Sequence, residues 1–363
     1  MPLPVATALA SADKPSAELV AGVVTAALEQ AGIDIPGSVL LFLSGEFARI
    51  APQAVAAASR AAQCLQIAGC TTSGVFTETD WVMDRPAACA MVFGGDVSLG
   101  SGVGAVGPCL SLAVPQSATA DWIANAAQRF GLISTGAAGH EPGRIWGHGK
   151  VLAEHRYEVS LHGARAAIGV SRGLRVLGAP MEVSESDGYD VRRIAGLPAI
   201  DTLLRELPLD FRALERLPIH LLAAAVIDGD PVGAVTSGRY HLVPLIAANT
   251  DDHCITLAAP LTRGTRLFWC ARQALAAERD TRGALDKAAD TLAMTPDFAI
   301  VFSCMGRGPY FFGGRDRDLD LIRERFPGLP IVGAYGAGEI APLPTGNGLI
   351  HNSAVIALCA ADV

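Results

Sequence analysis

Apolar residues along the chain follow two spacings, one typical of amphipathic helices and one typical of buried strands. Between Asp13 and Gly32 they recur every three or four positions, and Pro15 stands where a first helical turn would begin, so this segment is predicted to be a helix. Continuous apolar runs of strand length follow, the first of them at 39–43, directly before Ser44. The same criteria predict helices at 52–64 and 121–130, and strands at 66–68, 87–93, 132–133 and 166–170.

The order of these elements recurs near the C-terminus. The repeated elements are a strand at 299–303, a helix at 318–326, and strands at 331–332 and 354–358. In each copy two glycines follow the second strand, Gly69 and Gly74 in the first and Gly333 and Gly338 in the second. We therefore predict an α/β fold of two related halves built from duplicated β-α-β-β units, with mixed sheets flanked by helices and strand-end loops that face a shared cleft.

Length and proline placement divide the chain. At about 150 residues per domain, 363 residues indicate two domains. Leu217 and Pro218 close a short helical piece and a strong turn follows at 228–231, so the boundary is predicted between 217 and 218, giving domains 1–217 and 218–363. The segment 269–292, rich in Ala, Arg and Glu, is predicted to be one long helix.

Composition narrows the function classes. The longest apolar runs fall well short of the roughly 20 residues that a membrane-spanning helix needs. At the N-terminus no basic region leads into an apolar one, so we expect neither a signal peptide nor an anchor. A net charge of −8 with dispersed Lys and Arg argues against nucleic-acid binding. The eight cysteines form no C-x-x-C pair, the usage typical of reduced cysteines in a cytosolic core. We expect a cytoplasmic protein with neither nucleic acid nor membrane as partner.

The stretch 298–308 is where chemistry is most expected. An apolar strand ends at Ser303 and Cys304, and Arg307 follows between two glycines. A nearby cation favours the thiolate form of a cysteine, so Cys304 is a candidate nucleophile, although burial as a small hydrophobe is the common fate of cysteine. Arg307 could clamp a carboxylate or phosphate, or it could pair internally with an acid such as Glu339.

A second group of candidates lies close to the C-terminus. Gly338 and Glu339 end a glycine-rich turn whose backbone N–H groups could hold a ligand, and His351 and Asn352 precede the last strand. Together with Cys304 they could form a thiol, base and acid set for covalent catalysis. Each has a structural alternative as part of a tight turn. A metal site of Cys304, Glu339 and His351 lacks any local two-ligand spacing, so we expect none.

The first copy of the repeat supplies polar residues at the equivalent place. Cys70 and Thr71, with Thr72 and Ser73 after them, correspond to 334–337 in the second copy. Equivalent loops of duplicated halves often share one cleft, and clefts are common ligand sites. Structural Thr and Ser residues in a turn are the alternative.

The motifs together resemble the FIST family. The match consists of Ser-Cys-x-Gly-Arg at 303–307, Gly-Glu-Ile at 338–340, His-Asn at 351–352, and upstream segments at 133–139 and 178–199. The resemblance implies a FIST N-like domain over 1–217 and a FIST C-like domain over 218–363. It also implies a sensory role in binding a small molecule, such as an amino acid or related metabolite. We expect no cofactor.

Within that resemblance, Arg307 and Glu339 are the expected anchors for ligand charges, with Ser303, Gly338, Asn352, Cys70 and Thr71 also at the site. A sensor of this kind needs a protein partner for its output. The alternative is a cofactor-independent enzyme that uses Cys304 and His351. An interaction scaffold is the third class, although no large apolar surface is evident in the sequence.

Overall fold

The computed structural model describes residues 3–101, 107–125, 128–137, 141–214 and 216–362. Ala138 and Gly139, the last two residues of the segment 133–139, lie outside the described residues. The helices in the described ranges are α1 (Ala17–Ala31), α2 (Ala51–Ala62), α3 (Ala120–Ile123), α4 (Ala199–Glu206), α5 (Leu209–Arg212), α6 (Ala234–Ser237), α7 (Ala274–Leu292) and α8 (Arg317–Arg325).

The strands of the described ranges are short and numerous. They are β1 (Val5–Ser11), β2 (Ser38–Ser44), β3 (Ile67–Thr72), β4 (Gly74–Thr77), β5 (Trp81–Met83), β6 (Ala87–Phe93), β7 (Ser98–Ser101), β8 (Cys109–Ala113), β9 (Arg129–Ile133), β10 (Ile145–Gly147), β11 (Lys150–Val151), β12 (Arg156–His162), β13 (Ala164–Ser171), β14 (Leu174–Asp187), β15 (Asp190–Ile194), β16 (Leu197–Pro198), β17 (Leu222–Ile227), β18 (Tyr240–Asn249), β19 (Cys254–Leu257), β20 (Arg266–Arg272), β21 (Phe298–Cys304), β22 (Ile331–Gly336), β23 (Glu339–Leu343), β24 (Gly346–Ile350) and β25 (Ala354–Ala361).

The chain forms two compact units. Unit 1 comprises 1–172, 278–342 and 346–363, and unit 2 comprises 173–277 and 343–345. Neither unit begins or ends at the predicted boundary between 217 and 218. The division into family-type domains 1–217 and 218–363 stays a prediction.

The described residues of unit 1 form three six-stranded sheets, and two of these sheets share the same strand arrangement. Their strand orders are β1-β6-β2-β3-β10-β11 and β13-β25-β21-β22-β4-β5. In both, two antiparallel pairs are followed by a parallel pair, β2 with β3 and β21 with β22. This likeness agrees with the predicted duplication, which stays a prediction.

Helices cover one face of each of these sheets, and the other faces pack together. Val20 of α1 and Val55 of α2 lie in one core with Leu41, whereas Leu285 and Ile322 of α7 and α8 pack with the second sheet. The inner faces meet through aromatic pairs that join Phe42 to Phe302 and Phe93 to Phe298, with ring centroids 5.6 and 5.4 Å apart. Strands buried on both faces explain the continuous apolar runs of β2 and β21.

The third sheet of unit 1 brings further strand ends to the same region. Its order is β24-β23-β9-β8-β12-β7, and β8 and β9 form a parallel pair. The Phe130 ring of β9 lies 6.3 Å from that of Phe302, which places this sheet against the shared core. The predicted α/β fold with mixed sheets flanked by helices is confirmed.

Unit 2 is an antiparallel barrel. The order β14-β20-β17-β18-β19-β15 closes on itself because β14 also pairs with β15. Apolar side chains that include Leu267 and Trp269 fill its core, and the Trp269 indole N–H donates a hydrogen bond to Thr202 Oγ1 of α4 at 3.1 Å. The alternation of inward apolar and outward polar residues, which is typical of barrel strands, was not recognised in the sequence.

Two predicted helices differ from the observed ones in their bounds. The helix at 121–130 is limited to Ala120–Ile123, and Phe130 belongs to β9, where its buried side chain packs on Phe302; residues 126–127 lie outside the described ranges. The long helix begins at Ala274 instead of Trp269. Alternate residues of 266–272 pack into the barrel core, and this tertiary packing outweighs the local helical propensity.

Candidate functional site

A cleft lies in unit 1 where several strands end. Its volume is about 450 Å³. Ser44 pairs with Thr72 at the last step of the parallel ladder between β2 and β3, and Cys304 pairs with Gly336 at the last step between β21 and β22. The carboxyl ends of parallel strands meet at one sheet edge, and ligands of α/β proteins commonly bind there. The cleft is lined by Gly45, Glu46, Thr72, Ser73, Met83, Asp84, Pro115, Gln116, Ser134, Thr135, Gly136, Ala137, Glu141, Pro142, Gly143, Met305 and Tyr310.

Hydroxyl groups connect the loops that form the cleft. Ser73 Oγ and Thr135 Oγ1 are 3.0 Å apart, and the Ser73 hydroxyl lies 3.7 Å from Met305 Sδ. Because one hydroxyl of the pair accepts from the other, the remaining O–H is available to donate to a ligand. Ser73 and Thr135 therefore supply polar groups in an otherwise largely apolar depression.

Glycine permits the close approach of two loops at this site. A Cβ built on Gly45 would lie 2.6 Å from the carbonyl carbon and oxygen of Gly136, which is closer than real Cβ atoms come to backbone. The side chain of any other residue at position 45 would push the β2 loop away from the β9 loop. The glycine after Ser44 is thus required for the shape of the cleft.

The charged lining residues are acidic. Glu46, Asp84 and Glu141 line the cleft, and none of its described lining residues is Lys or Arg. The exposed Arg49 pairs with Glu141 across 2.6 Å. The Tyr310 hydroxyl donates a hydrogen bond to Asp84 Oδ2. This hydrogen bond to a carboxylate is the main reason why the pKa of Tyr310 is raised. Glu46 is half-buried, so its charge is only partly screened by water.

Arg307 lies in the core beside the cleft instead of lining it. Its side chain is 1% exposed, and its guanidinium donates to Asp318 Oδ2 at 2.8 Å, to Ser171 Oγ at 2.8 Å and to Thr281 Oγ1 at 2.8 Å. Burial acts to lower the pKa of Arg307, but the Asp318 carboxylate raises it, and the net shift is upward. These contacts favour internal pairing, with Asp318 as partner instead of Glu339. A ligand-anchoring role for Arg307 stays a prediction.

Glu339 is also in the core, close to Cys304. Its Oε2 accepts from Ser353 Oγ at 2.5 Å, and its Oε1 has no hydrogen-bond partner among the residues that the structure describes. Burial raises the pKa of Glu339 well above its usual range, and the neighbouring Cys304 raises it further, whereas His351 acts in the opposite direction. The neutral carboxylic acid is therefore favoured at this position. The Cys304 N–H donates to the Ser353 carbonyl, so Cys304, Glu339 and His351 lie in one region of unit 1.

The turn residues around Glu339 have specific structural partners. His351 is exposed and donates from Nδ1 to the Ala337 carbonyl at 2.9 Å. A Cβ on Gly338 would lie 2.8 Å from the His351 ring, so this glycine allows the two turns to pack. Asn352 has φ 56°, a left-handed conformation that asparagine tolerates better than most residues. Ala337 lines the cleft, which connects this turn with the surface.

The remaining predicted residues lie around the same strand ends. Cys70 and Thr71 are buried, the Thr71 hydroxyl accepts from the Arg144 backbone N–H at 2.8 Å, and burial raises the pKa of Cys70. Ser303 is buried, and its Oγ has no hydrogen-bond partner within the described ranges. Their neighbours Thr72, Ser73 and Met305 line the cleft, whereas these three residues do not.

Several residues that form the cleft were not identified from the sequence. Glu46 directly follows the predicted strand end at Ser44, and that position was a usable signal. Tyr310, an exposed aromatic residue in a glycine-rich loop after Arg307, was another. Thr135 belongs to the segment 133–139 that resembles the FIST family, although it was not named as a site residue, whereas Glu141 carries no local signal.

Within the described residues, no group of three or more His, Cys, Asp and Glu side chains is placed to hold a metal ion. No helix in those residues has both the length and the apolar character needed to cross a membrane.

Comparison with known proteins gives one family match and several relatives. Residues 199–342 match the family model of the FIST C domain. This segment contains Ser303, Cys304, Arg307, Gly338 and Glu339, whereas Cys70, Thr71, His351 and Asn352 lie outside it.

The similar proteins are uncharacterized mycobacterial proteins. One from Mycobacterium bovis is 30% identical over 221 residues, which are 61% of this chain and 57% of that protein. Another, from Mycobacterium tuberculosis, is 30% identical over 216 residues, which are 59% of this chain and 56% of that protein. The chain therefore covers less than two thirds of either relative, and their names state no activity.

Proposed function

We propose that this chain, whose residues 199–342 match the FIST C domain model, is a sensory protein that binds a small molecule in the cleft at the strand ends. FIST C domains are a family of sensory, ligand-binding domains. The observation that carries the proposal is the cleft of about 450 Å³, because its volume is within the range of small-molecule sites, roughly 300–1,000 Å³. Strand-end loops from both similar sheets form it, as the predicted duplication would require.

The lining indicates which part of a ligand is bound. Glu46 attracts a cationic group, whereas the Glu141 carboxylate is already paired with Arg49, and the hydroxyls of Ser73 and Thr135 can hydrogen-bond a neutral polar group. An amino acid or related amine would place its ammonium group towards Glu46. Transmission of the signal would require a protein partner that recognises the ligand-bound state.

The proposal is tested by thermal denaturation of the full chain with a panel of amino acids and biogenic amines. A ligand at 100 times its Kd stabilises the folded state by about 2.7 kcal/mol, which raises Tm by several degrees. Glu46→Gln is expected to raise the apparent Kd for amines at least tenfold. Glu18→Gln removes an exposed charge in α1; it is the matched control and should leave the apparent Kd unchanged.

The binding proposal fails if no compound of the panel shifts Tm, or if Glu46→Gln and Glu18→Gln behave alike. Ligand stabilisation is also expected to survive Cys304→Ala, because a non-covalent ligand does not need the thiol.

A cofactor-independent enzyme is the second candidate. The location of Glu339 favours it, since Ser353 links Glu339 to the Cys304 backbone and Gly338 packs against the His351 ring, so a thiol, an acid and an imidazole are grouped in one region. Such an enzyme requires Cys304 to react with iodoacetamide faster than buried thiols such as Cys359. Equal rates for the two cysteines would remove the nucleophile from the mechanism.

A further inference from the structure

The segment after β21 crosses the region of the cleft between two fixed points. We call residues 308–315 the strap. At its start, the backbone N–H groups of Arg307 and Gly308 donate to the Cys304 carbonyl, while the Arg307 side chain is bound in the core. At its end, the Asp316 side chain accepts from the Leu319 N–H at the start of α8 and from the Tyr335 hydroxyl. The ends of the strap are therefore held rigidly.

The middle of the strap has different properties. Its turns are closed by local bonds, such as those from the Phe311 N–H to the Gly308 carbonyl and from the Gly314 N–H to the Pro309 carbonyl. Gly313 and Gly314 have φ values of 79° and 100°, a region in which glycine rotates without a Cβ clash. Such a local turn followed by two glycines can swing as a unit about its fixed ends.

Tyr310 at the tip of the strap forms a hydrogen bond across the cleft. The Tyr310 side chain is 62% exposed, it lines the cleft, and its hydroxyl donates to Asp84 at the end of β5. Met305, which precedes the strap, lines the cleft next to Ser73. An exposed hydrogen bond between residues 226 positions apart in the sequence is easily broken and remade in water.

We propose that the strap is a lid over the cleft, latched by the hydrogen bond between Tyr310 and Asp84, and that its opening controls the rate at which a ligand enters and leaves. The role in ligand exchange rests on the proposed function. The existence of the lid rests only on the fixed ends, the glycine pair and the latch.

The lid is tested without a ligand, by the reactivity of a thiol placed in the cleft. Ser73→Cys introduces a thiol of nearly the same size, and its reaction with 5,5′-dithiobis(2-nitrobenzoic acid) is followed after subtraction of the rate for the chain without this substitution. Tyr310→Phe removes only the latching hydroxyl and is expected to raise the reaction rate of the introduced thiol about fivefold. Tyr189→Phe, an equally conservative change at an exposed tyrosine of unit 2, should leave the rate within about twofold.

A double substitution separates the latch from independent effects. Asp84→Asn keeps a residue that tolerates the left-handed conformation at this position, φ 61°, and is expected to raise the rate by less than Tyr310→Phe does. If the two groups act through one bond, the double variant reacts no faster than Tyr310→Phe alone. Unchanged rates in Tyr310→Phe, or rate increases that multiply in the double variant, would overturn the proposal.

Hydrogen exchange distinguishes lid opening from loss of stability. In Tyr310→Phe the amides of 310–314 are expected to exchange faster, while those of β21 and β22 keep their protection. Equal strap protection in both proteins, or loosening of the strands to the same degree as the strap, would refute the lid. Because neither readout uses a ligand, a failed ligand screen leaves this result intact.

Discussion

Replacement of Arg307 by Met is the sharpest test of how unit 1 is built. The guanidinium forms two hydrogen bonds with Asp318, at 2.8 and 3.0 Å, and it also donates to Ser171 and Thr281. Without it, the Asp318 carboxylate, 3% exposed, keeps the Thr281 hydroxyl at 2.6 Å but loses its paired positive charge. Removal of one partner of such a buried pair costs about 3–5 kcal/mol. That is a large part of a typical stability of about 5–15 kcal/mol.

The loss of unfolding free energy in Arg307→Met should depend more on the unpaired Asp318 charge than on the lost hydrogen bonds. Arg307→Met combined with Asp318→Leu removes both charges, and apolar replacement of a whole buried pair is often close to neutral. We therefore expect the double variant to recover most of the loss. Arg307→Lys keeps the positive charge but lacks the planar guanidinium that binds two carboxylate oxygens at once. Its stability should therefore lie between those of the wild type and Arg307→Met.

The assay is urea denaturation followed by tryptophan fluorescence. In a Trp269→Phe background the signal comes from Trp81, Trp122 and Trp146, all within unit 1. A loss of unfolding free energy below about 1 kcal/mol in Arg307→Met would refute the reasoning. A loss that small is typical of solvent-exposed ion pairs, and it would mean that the Asp318 carboxylate is not left buried and unpaired. In that case Arg307 would again be the leading candidate for a ligand anchor.

Three further predictions concern individual side chains. Burial, with the nearby Asp318 charge, raises the pKa of Asp316 from its ordinary value of 3.8 to about 6, so its contribution to stability is complete below the unfolded pKa and is lost as pH rises through about 6. The wild type should therefore lose roughly 2 kcal/mol relative to Asp316→Asn between pH 4 and pH 7, and a constant difference in urea titrations at the two pH values would contradict this. Gly45→Ala should lower unfolding free energy by about 1–3 kcal/mol through its clash with Gly136, and a calorimetric Tm equal to that of the wild type would show that the two loops can separate freely. Glu339→Gln should be neutral or stabilising at pH 8, because burial raises the pKa of Glu339 and an amide avoids any ionised form; a loss above about 2 kcal/mol in the same titration would mean that the carboxylate is needed.

The repeated elements could be predicted because their strands are buried on both faces. The segments that became β2, β6, β21 and β25 are continuous apolar runs, and α1 and α8 carry regular apolar stripes. The barrel of unit 2 was missed because its strands are half-exposed. In β14, Leu177 and Val183 are buried between exposed neighbours, and that alternation is difficult to distinguish from loop sequence.

The strand ends that surround the candidate site were predictable, but the orientation of the side chains there was not. Cys304, Glu339 and the loop after Cys70 do lie at strand ends that meet, as the repeated pattern indicated. Arg307 is held in the core by Asp318 and Thr281, and no local pattern joins those residues because they come from different helices. The acidic lining likewise depends on the Glu141 loop, which only the third sheet brings into place.

The most direct test of the binding proposal is the mass of the purified full chain under native and denaturing conditions. We predict a mass excess in the native spectrum that disappears on denaturation, persists in Cys304→Ala, and is lost in Ser73→Phe, whose ring would fill the cleft. An excess that survives denaturation and maps to Cys304 would contradict non-covalent binding and favour the enzyme. An excess retained in a folded Ser73→Phe would show that the ligand binds outside the cleft.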